Sequence, residues 1–226
     1  MGKELSRDFY DKVFKDGGCD QLYHKDYLET PWSITWKIVC DKLKEYVLED
    51  IKILDLGCGP GQFACCAFDN GIKKYTGIDF SSEAIDMAKN SIISRQKKYI
   101  KKNLFEEKNY DKEERSFEFI CNSVFDEDIS KIDYNCIVAT EFLEHINEDI
   151  ECLNLIKSGT IIVATVPNLD SEGHVRFWPQ EISVAKSKII DRYSVAGEFL
   201  HISEIKYPIH NSDTQSIDYL FVIKKN

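Results

Sequence analysis

The sequence lacks a hydrophobic run long enough to span a membrane. Its longest apolar stretches, such as TIIVATVP at residues 160–167, fall far short of the roughly 20 residues that a transmembrane helix needs. The N-terminal segment MGKELSRDFYDK carries charges where a signal peptide would have an apolar core. These two absences predict a protein that does not associate with membranes, and we expect it in the cytoplasm.

Basic residues are also in deficit. The chain has 29 Lys and Arg against 39 Asp and Glu, which gives a formal net charge of −10. An acidic protein repels a phosphate backbone at long range unless it builds a local basic patch, and the sequence has no obvious one. The composition therefore favours a small-molecule substrate over a nucleic-acid partner, and it leaves the oligomeric state open.

The sequence also lacks the cysteine spacing of a zinc knuckle and the composition of an interdomain linker. None of the eight cysteines stands in a CxxC pair, which disfavours a zinc knuckle, and scattered thiols fit a reducing compartment. No internal repeat and no linker rich in proline or glycine divides the 226 residues. We therefore predict a single domain over residues 1–226, with a helical N-terminal cap over 1–50 and a core over 51–226.

From residue 51 onward, short apolar segments alternate with helical patterns, which is typical of a parallel sheet covered by helices on both faces. The charged stretch 96–115 is interpreted as a solvated excursion before the third strand. A turn containing Asn211, Ser212 and Asp213 would join the last two strands into a hairpin and add one antiparallel strand. The predicted helices begin near Gln62, Ser82, Asn147 and Pro179. The predicted strands are Ile51–Leu56, Tyr75–Asp79, Phe117–Cys121, Tyr134–Ala139, Thr160–Val166, Glu198–Tyr207 and Ile217–Lys224.

The segment ILDLGCGPGQFA predicts a strand that runs into Gly57, Gly59 and Gly61 and then into a helix. Glycine permits the sharp turn and lets a ligand approach the main chain closely. Asp55 precedes the first glycine by two residues and suits the ammonium group of a methionine moiety better than a pyrophosphate. Asp79 ends the second strand, where an acid accepts both hydroxyls of an adenosine ribose. The GxGxG spacing also differs from the dinucleotide-binding GxGxxG.

Together, ILDLGCGPGQFA and YTGIDFSSEAIDMAK resemble the first two motifs of the seven-stranded, class I S-adenosylmethionine-dependent methyltransferases, in their small-molecule group. The resemblance covers about residue 51 to the C-terminus. It implies a Rossmann-like α/β fold with a seven-stranded, mostly parallel sheet in the order 3-2-1-4-5-7-6, strand 7 antiparallel and helices on both faces. It also implies S-adenosyl-L-methionine as the cofactor, with Asp55 and Gly57 at its methionine end, Asp79 on its ribose and Phe80 against its adenine.

The end of the third strand departs from the pattern of this superfamily. An acid often stands there and contacts the adenine amino group, whereas the segment CNSVF has Asn122 and Ser123 in that place. The adenine contact is left open between Ser123, the backbone of Val124, and Asp126.

Acidic and imidazole groups follow the fourth strand in the segment ATEFLEHINEDI. Helical spacing would place Glu141, Glu144 and His145 on one face. His145 ordinarily titrates near neutral pH and can deprotonate a hydroxyl or an amine. A second interpretation is a divalent metal site completed by His174, an arrangement that resembles the small-RNA 3′-terminal 2′-O-methyltransferases. In a third interpretation Glu141 closes the cofactor site, whereas Glu144 and His145 only cap and orient the turn in which they lie.

The same E-x-x-E-H string resembles small-molecule enzymes, including ubiquinone-pathway O-methyltransferases, so we assign no metal ligand. We predict Glu141, His145 and His174 as catalytic residues, with Glu141 also facing the cofactor. The segment after the fifth strand resembles a substrate-side loop, in which Arg176 contacts either an acceptor or a surface carboxylate of the protein.

The predicted reaction is methyl transfer to an oxygen or nitrogen of a small polar metabolite or sugar-derived substrate. The alternative is an RNA 3′-terminal ribose 2′-O-methyltransferase with a metal at Glu141, Glu144, His145 and His174. In the N-terminal cap, aromatic residues at helical spacing are typical of core packing, and we place Trp36 there. The pocket candidates in the cap are Tyr23, His24 and Tyr27.

Overall fold

Seven strands form one sheet in the computed structural model, which describes residues 2–18, 22–48, 50–105, 115–208 and 215–226. The strands are β1 (Lys52–Leu56), β2 (Lys74–Asp79), β3 (Ser116–Cys121), β4 (Cys136–Thr140), β5 (Ile161–Pro167), β6 (Gly197–Pro208) and β7 (Gln215–Lys225). Their order in the sheet is β3-β2-β1-β4-β5-β7-β6. All seven predicted strands are present, and the predicted order is confirmed.

Strand β7 is the antiparallel member of the sheet. It pairs antiparallel with β5 on one side and with β6 on the other, whereas β1, β2, β3, β4 and β5 pair in parallel. The predicted turn residues Asn211, Ser212 and Asp213 lie outside the described residues. The strand order reverses between β1 and β4, and in open α/β sheets ligands bind at the carboxyl ends of the strands next to such a switch point.

Six α-helices are described, together with three single 3₁₀ turns. The helices are α1 (Arg7–Lys15), α2 (Ser33–Tyr46), α3 (Gln62–Asp69), α4 (Ser82–Phe105), α5 (Asp149–Asn154) and α6 (Ile182–Tyr193). The 3₁₀ turns are Tyr27–Glu29, Ile129–Lys131 and Leu143–His145. Helix α4 continues through residue 105, so residues 96–105 are helical and not an excursion between elements, although residues 97–101 are exposed to solvent as predicted. Residues 106–114 of the predicted excursion lie outside the described residues. Within the described ranges, no helix combines the length and the hydrophobicity needed to cross a lipid bilayer.

The two faces of the sheet bury separate hydrophobic layers. Alternate residues of β1 point to opposite faces, so Ile53 packs with α2 and α3 while Leu54 packs on the side of α5 and α6. Val39 and Leu43 of α2 are fully buried on the first face. Helix α2 is therefore part of a covering layer of the sheet, although the sequence placed it in the N-terminal cap. Tyr27 is also buried in this layer. It and His24 line a smaller pocket beside α3 and α4, and not the cavity at the carboxyl ends of the strands.

Helix α1 lies over the carboxyl edge of the sheet, against the glycine segment that follows β1. The Ser6 side chain caps its first turn by accepting a hydrogen bond from Phe9 N. Asp11 accepts hydrogen bonds from Ser81 Oγ at 2.5 Å and from Glu83 N at 3.4 Å, which ties α1 to the start of α4. A cavity lies between α1 and the carboxyl ends of the strands.

Candidate active site

The glycine segment after β1 has the backbone that its sequence predicts. Gly57, Gly59 and Gly61 have φ angles of 72°, 51° and 77°, in the left-handed region that side chains disfavour. A Cβ on Gly57 would lie 2.4 Å from the Phe142 ring, and one on Gly61 would lie 2.8 Å from Ala88 of α4. The absence of side chains therefore serves both the turn and the close packing around it. Gly61 does not line the cavity, and its contact is with α4.

The Asp79 carboxylate is fixed by two backbone groups at the end of β2. Its Oδ2 accepts from Gly59 N at 2.9 Å, and its Oδ1 accepts from Ser81 N at 2.8 Å. Each oxygen keeps a further lone pair that a ribose hydroxyl can use. Burial raises the pKa of Asp79 to about 6, against the effect of these two hydrogen bonds. Phe80 follows directly and lines the same cavity.

Asp55 lies beneath the glycine segment and is only 1% exposed. Its Oδ2 accepts a short hydrogen bond, 2.5 Å, from the Tyr75 hydroxyl. Burial, and to a smaller extent the nearby Asp79, raise the pKa of Asp55 to about 7, against the effect of the Tyr75 hydrogen bond. A cation placed beside such a carboxyl favours its charged form. The group therefore fits the ammonium of the methionine moiety of S-adenosylmethionine.

A single cavity of about 840 Å³ joins these residues to the acceptor-side residues. Ser123 and Val124, at the end of β3, line it, whereas Asp126 does not. That leaves Ser123 and Val124 as the adenine-side candidates. Tyr23 also lines the cavity as predicted, and Trp36 lines it too, although the sequence assigned Trp36 to the core. The cavity-lining residues among those predicted are Asp55, Gly57, Gly59, Asp79, Phe80, Ser123, Val124, Glu141, His145 and His174.

Glu141 follows β4 with an unusual backbone. Its φ is 50°, a conformation that non-glycine residues rarely adopt and that concentrates at functional sites. Thr165 holds it on both sides, because its hydroxyl accepts from Glu141 N and donates to Glu141 Oε1, each at 3.1 Å. Burial, and then the neighbouring Glu144, raise the pKa of Glu141 well above its usual range. The expected helical face is wrong, since a 3₁₀ turn follows Glu141 and not a helix.

His145 is held at one ring nitrogen. Its Nδ1 lies 3.0 Å from the Tyr10 hydroxyl of α1 and 3.1 Å from the carbonyl oxygen of Gly173. Because a carbonyl only accepts, the proton belongs on Nδ1, and Nε2 keeps its lone pair. Burial, and then the nearby His174, lower the pKa of His145 to about 4. The expectation that this side chain titrates near neutral pH is therefore wrong, and the ring is neutral at pH 7.

His174 and Glu144 complete a compact group with His145. His174 Nδ1 lies 3.1 Å from the carbonyl oxygen of Leu169, which leaves its Nε2 free, and its ring centre is 4.8 Å from that of His145. Glu144 is fully buried, and among the described residues neither of its carboxyl oxygens has a hydrogen-bond partner. Burial raises the pKa of Glu144 to about 8. One ligand atom from each of these three residues lies within 4.8 Å of the others.

Arg176 stabilises the turn that carries His145 and does not line the cavity. Its guanidinium donates to the carbonyl oxygens of Leu143 and Ile146 at 2.5 and 2.6 Å and lies 3.2 Å from the buried carboxylate of Asp149. The second of the two predicted roles, pairing with a carboxylate, is correct. The carboxylate, however, is buried and not on the surface, and α6 supplies Arg192 to the same group.

The sequence did not single out several residues of this site. Tyr10 contacts His145 across 135 positions of chain, and Tyr207 and Ser216 bring the ends of β6 and β7 to the cavity. The aromatic character of the first 36 residues was the only available signal for Tyr10. Nothing local distinguishes Tyr207 or Ser216 from other residues of a closing hairpin.

The glycine segment, the paired acids Asp55 and Asp79, and the strand order β3-β2-β1-β4-β5-β7-β6 define a class I S-adenosylmethionine-dependent methyltransferase. A family model described as "Methyltransferase domain" matches residues 35–194, and the chain belongs to that family. No curated protein sequence matches the chain.

Solved structures share the fold at low sequence identity. Magnesium protoporphyrin IX methyltransferase (ChlM) from Synechocystis PCC 6803, with bound SAM, is 14% identical, with 99% of this chain and 100% of that chain covered and a TM-score of 0.57. The N-methyltransferase NodS from Bradyrhizobium japonicum WM9, in complex with S-adenosyl-L-homocysteine, is 13% identical (96% and 98% covered, TM-score 0.59). The [4+2]-cyclase SpnF is 14% identical (100% and 99% covered, TM-score 0.62). At these identities the likeness concerns the fold alone.

Proposed function

We propose that this methyltransferase transfers a methyl group to an oxygen or nitrogen of a small polar metabolite. The observation that carries the proposal is the single cavity that connects Asp55 and Asp79 with Glu141, His145 and His174. Its volume of about 840 Å³ lies within the range of small-molecule sites, roughly 300–1,000 Å³. A donor and a small acceptor can therefore share one enclosed space.

The residues present fit the cofactor. Asp79 would accept the ribose hydroxyls, Asp55 would face the ammonium group, and Phe80 would pack on the adenine, because all three line the cavity around the glycine segment. When bound, S-adenosylmethionine supplies a methyl group activated by its sulfonium. The protein then has to align the acceptor, exclude water and remove a proton where the acceptor carries one.

His145 is the first candidate for proton removal. Its neutral ring keeps a lone pair on Nε2, because the Gly173 carbonyl and the Tyr10 hydroxyl engage Nδ1. The proton of an acceptor hydroxyl or amine can pass to Nε2 as the new bond to carbon forms. Glu144 Oε1 lies 3.9 Å from that nitrogen. The positive charge that develops on the ring favours the charged form of this carboxyl, which then stabilises the imidazolium. Glu141 and His174 shape the same end of the cavity.

The experiment combines cofactor binding with turnover. Isothermal titration with S-adenosylmethionine and S-adenosylhomocysteine tests the donor site, and release of S-adenosylhomocysteine in the presence of a panel of small amines and alcohols tests transfer. His145→Ala should cut turnover by roughly 100-fold while S-adenosylhomocysteine affinity changes little. His201→Ala is the matched control, because this histidine lies on β6 and contacts Ser203 instead of the cavity. An unchanged turnover in His145→Ala would remove its role as base, and tight binding of a nicotinamide cofactor without any heat from S-adenosylmethionine would refute the function.

One observation favours a second candidate, the metal-dependent RNA 3′-terminal ribose 2′-O-methyltransferase. Three of its four predicted ligands, Glu144, His145 and His174, lie together. In both histidines Nδ1 contacts a backbone carbonyl, which leaves the Nε2 lone pair for a ligand, as in metal-binding histidines. Glu141 is not part of that group. Elemental analysis of the purified protein, with methylation of RNA 3′ ends before and after chelation, tests this function. Chelator-insensitive turnover on small molecules would end it.

A further inference from the structure

The cavity divides into two halves at the switch point of the sheet. The donor half is formed at the ends of β1, β2 and β3, where Asp55, Asp79 and Ser123 lie. The other half is formed at the ends of β4, β5, β6 and β7 and by the first turn of α2. This second half, which we call the acceptor half, rests on the proposed function, because it is where a methyl acceptor would bind.

Aromatic rings form one wall of the acceptor half. Trp32 and Trp36, at the start of α2, and Tyr207, at the end of β6, line it, and the ring centres of Trp32 and Tyr207 are 6.5 Å apart. The Tyr207 hydroxyl donates to the buried Asp218 carboxylate at 3.0 Å, and Thr35 donates to the same group at 3.2 Å. Tyr207 is therefore held in place by its hydroxyl, and its ring is left for contact with a ligand.

Carboxyl groups also line this half, together with His145, His174 and Ser216. Glu141 lines it, and the fully buried Glu144 and Asp218 lie close enough to Glu141 to interact with it electrostatically. Both carboxyl oxygens of Glu144 have no hydrogen-bond partner within the described residues. The loop after β5 adds Asp170 and Glu172. The acids thus outnumber the hydrogen-bond donors that the protein directs at them.

Basic side chains do not compensate these acids. Among the described residues that line the cavity there are seven carboxyl groups but only one ammonium, that of the exposed Lys12 of α1. Arg176 is close to Glu144 but donates to backbone carbonyls and Asp149. A phosphate or carboxylate in the acceptor half would therefore find no counter-charge among the residues that the structure describes.

We propose that the acceptor carries a cationic amino group and no phosphate or carboxylate, and that this amino group binds between Glu141 and the aromatic wall of Trp32, Trp36 and Tyr207. Tryptophan and tyrosine faces attract a cation through their ring quadrupole. Burial raises the pKa of Glu141 in the empty cavity, but a cation beside the group favours its charged form, which then adds a charge-assisted hydrogen bond. The same surroundings repel anions, so the acceptor half selects by charge as well as by shape.

The test uses matched compounds that differ in one terminal group. Tryptamine, tryptophol and indole-3-propionate present an ammonium, a hydroxyl and a carboxylate on the same ring, and phenethylamine, 2-phenylethanol and 3-phenylpropionate repeat the series on a smaller one. Each is titrated into the full-length protein saturated with S-adenosylhomocysteine. We expect the amine of at least one series to bind at least about tenfold more tightly than its carboxylate partner.

Two variants assign that preference to the cavity. Glu141→Gln should weaken amine binding about tenfold and bring the amine close to the alcohol, because only the charge is removed. Glu181→Gln removes an exposed charge at the start of α6 and should leave the preference unchanged. Trp32→Leu should weaken the amine more than the carboxylate.

The outcomes separate this inference from the function on which it rests. If S-adenosylhomocysteine does not bind, the methyltransferase proposal fails. If it binds and a carboxylate equals or exceeds its amine partner, or neither amine binds at millimolar concentration, the acceptor inference alone is overturned. Retention of the full amine preference in Glu141→Gln would overturn it as well.

Discussion

Replacing Asp55 by asparagine should stabilise the ligand-free protein near neutral pH while weakening its hold on the cofactor. Asp55 is 1% exposed, and burial raises its pKa from 3.8 to about 7. The folded chain therefore keeps this proton where the unfolded chain has lost it. Since one unit of pKa corresponds to about 1.4 kcal/mol, the carboxylate costs the folded state about 4 kcal/mol once the pH exceeds 7.

The sign follows from proton binding. Between about pH 4 and pH 7 the folded state binds more protons at Asp55 than the unfolded state does, so its contribution to the free energy of unfolding falls as the pH rises. An asparagine does not titrate, and its carbonyl oxygen can still accept the Tyr75 hydrogen bond. The advantage of the variant should be small near pH 4 and grow to roughly 2–4 kcal/mol by pH 8.

Urea unfolding of both proteins at several pH values measures this difference directly. A gap that does not change with pH, or a variant that is less stable at pH 8, would refute the argument. Asp133→Asn is the matched control with the opposite sign, because hydrogen bonds from Lys52 and Lys74 lower the pKa of the exposed Asp133. In the ligand-bound protein, Asp55→Asn should weaken S-adenosylhomocysteine binding by about 10- to 100-fold, as the charge-assisted bond to the ammonium is lost.

Three further predictions concern the surroundings of the cavity. Gly61→Ala should lower the free energy of unfolding in urea by about 2–4 kcal/mol, because the residue has a φ of 77° and the added Cβ would lie 2.8 Å from the Ala88 backbone. A second change, Ala88→Gly, should not restore the stability, and full rescue would contradict the argument. Nitrogen NMR should show His145 as a neutral ring protonated on Nδ1 down to about pH 5, given a pKa of about 4, and a cation forming near pH 6.5 would show the burial argument to be wrong. Arg176→Met should destabilise the fold by about 3 kcal/mol in thermal unfolding, because Asp149 loses one partner and three carbonyls lose their donor; a lysine should recover less than half, and a neutral effect would exclude the positioning role.

The parts of the fold that follow from local chemistry were predictable from the sequence. Apolar strands with glycine at their ends, and a closing hairpin, were enough for the positions of all seven strands, and the family resemblance implied their order. Gly57 and Gly59 and the acids Asp55 and Asp79 were predictable for the same reason, since each is placed by the strand that precedes it. These glycines and acids, which the proposed cofactor site uses, needed no information from distant parts of the chain.

The acceptor half was less predictable because distant segments meet there. The φ of 50° at Glu141 depends on Thr165 of β5, and the contact of Tyr10 with His145 depends on how α1 lies over the sheet. Arg176 has no local signal that separates a buried structural pair from a ligand contact. Helical spacing after Glu141 was misleading, since a 3₁₀ turn and not a helix follows β4.

The extent of the family match has a consequence for comparing this enzyme with its relatives. The matched segment, 35–194, contains the whole donor half, whereas Tyr10 and Trp32 precede it and Tyr207 follows it. A protein that matches the same segment can therefore carry a different aromatic wall, because two of the three rings of that wall lie in the sequences that flank the match. Exchanging those flanks between relatives is a direct route to chimeras with new substrate preferences.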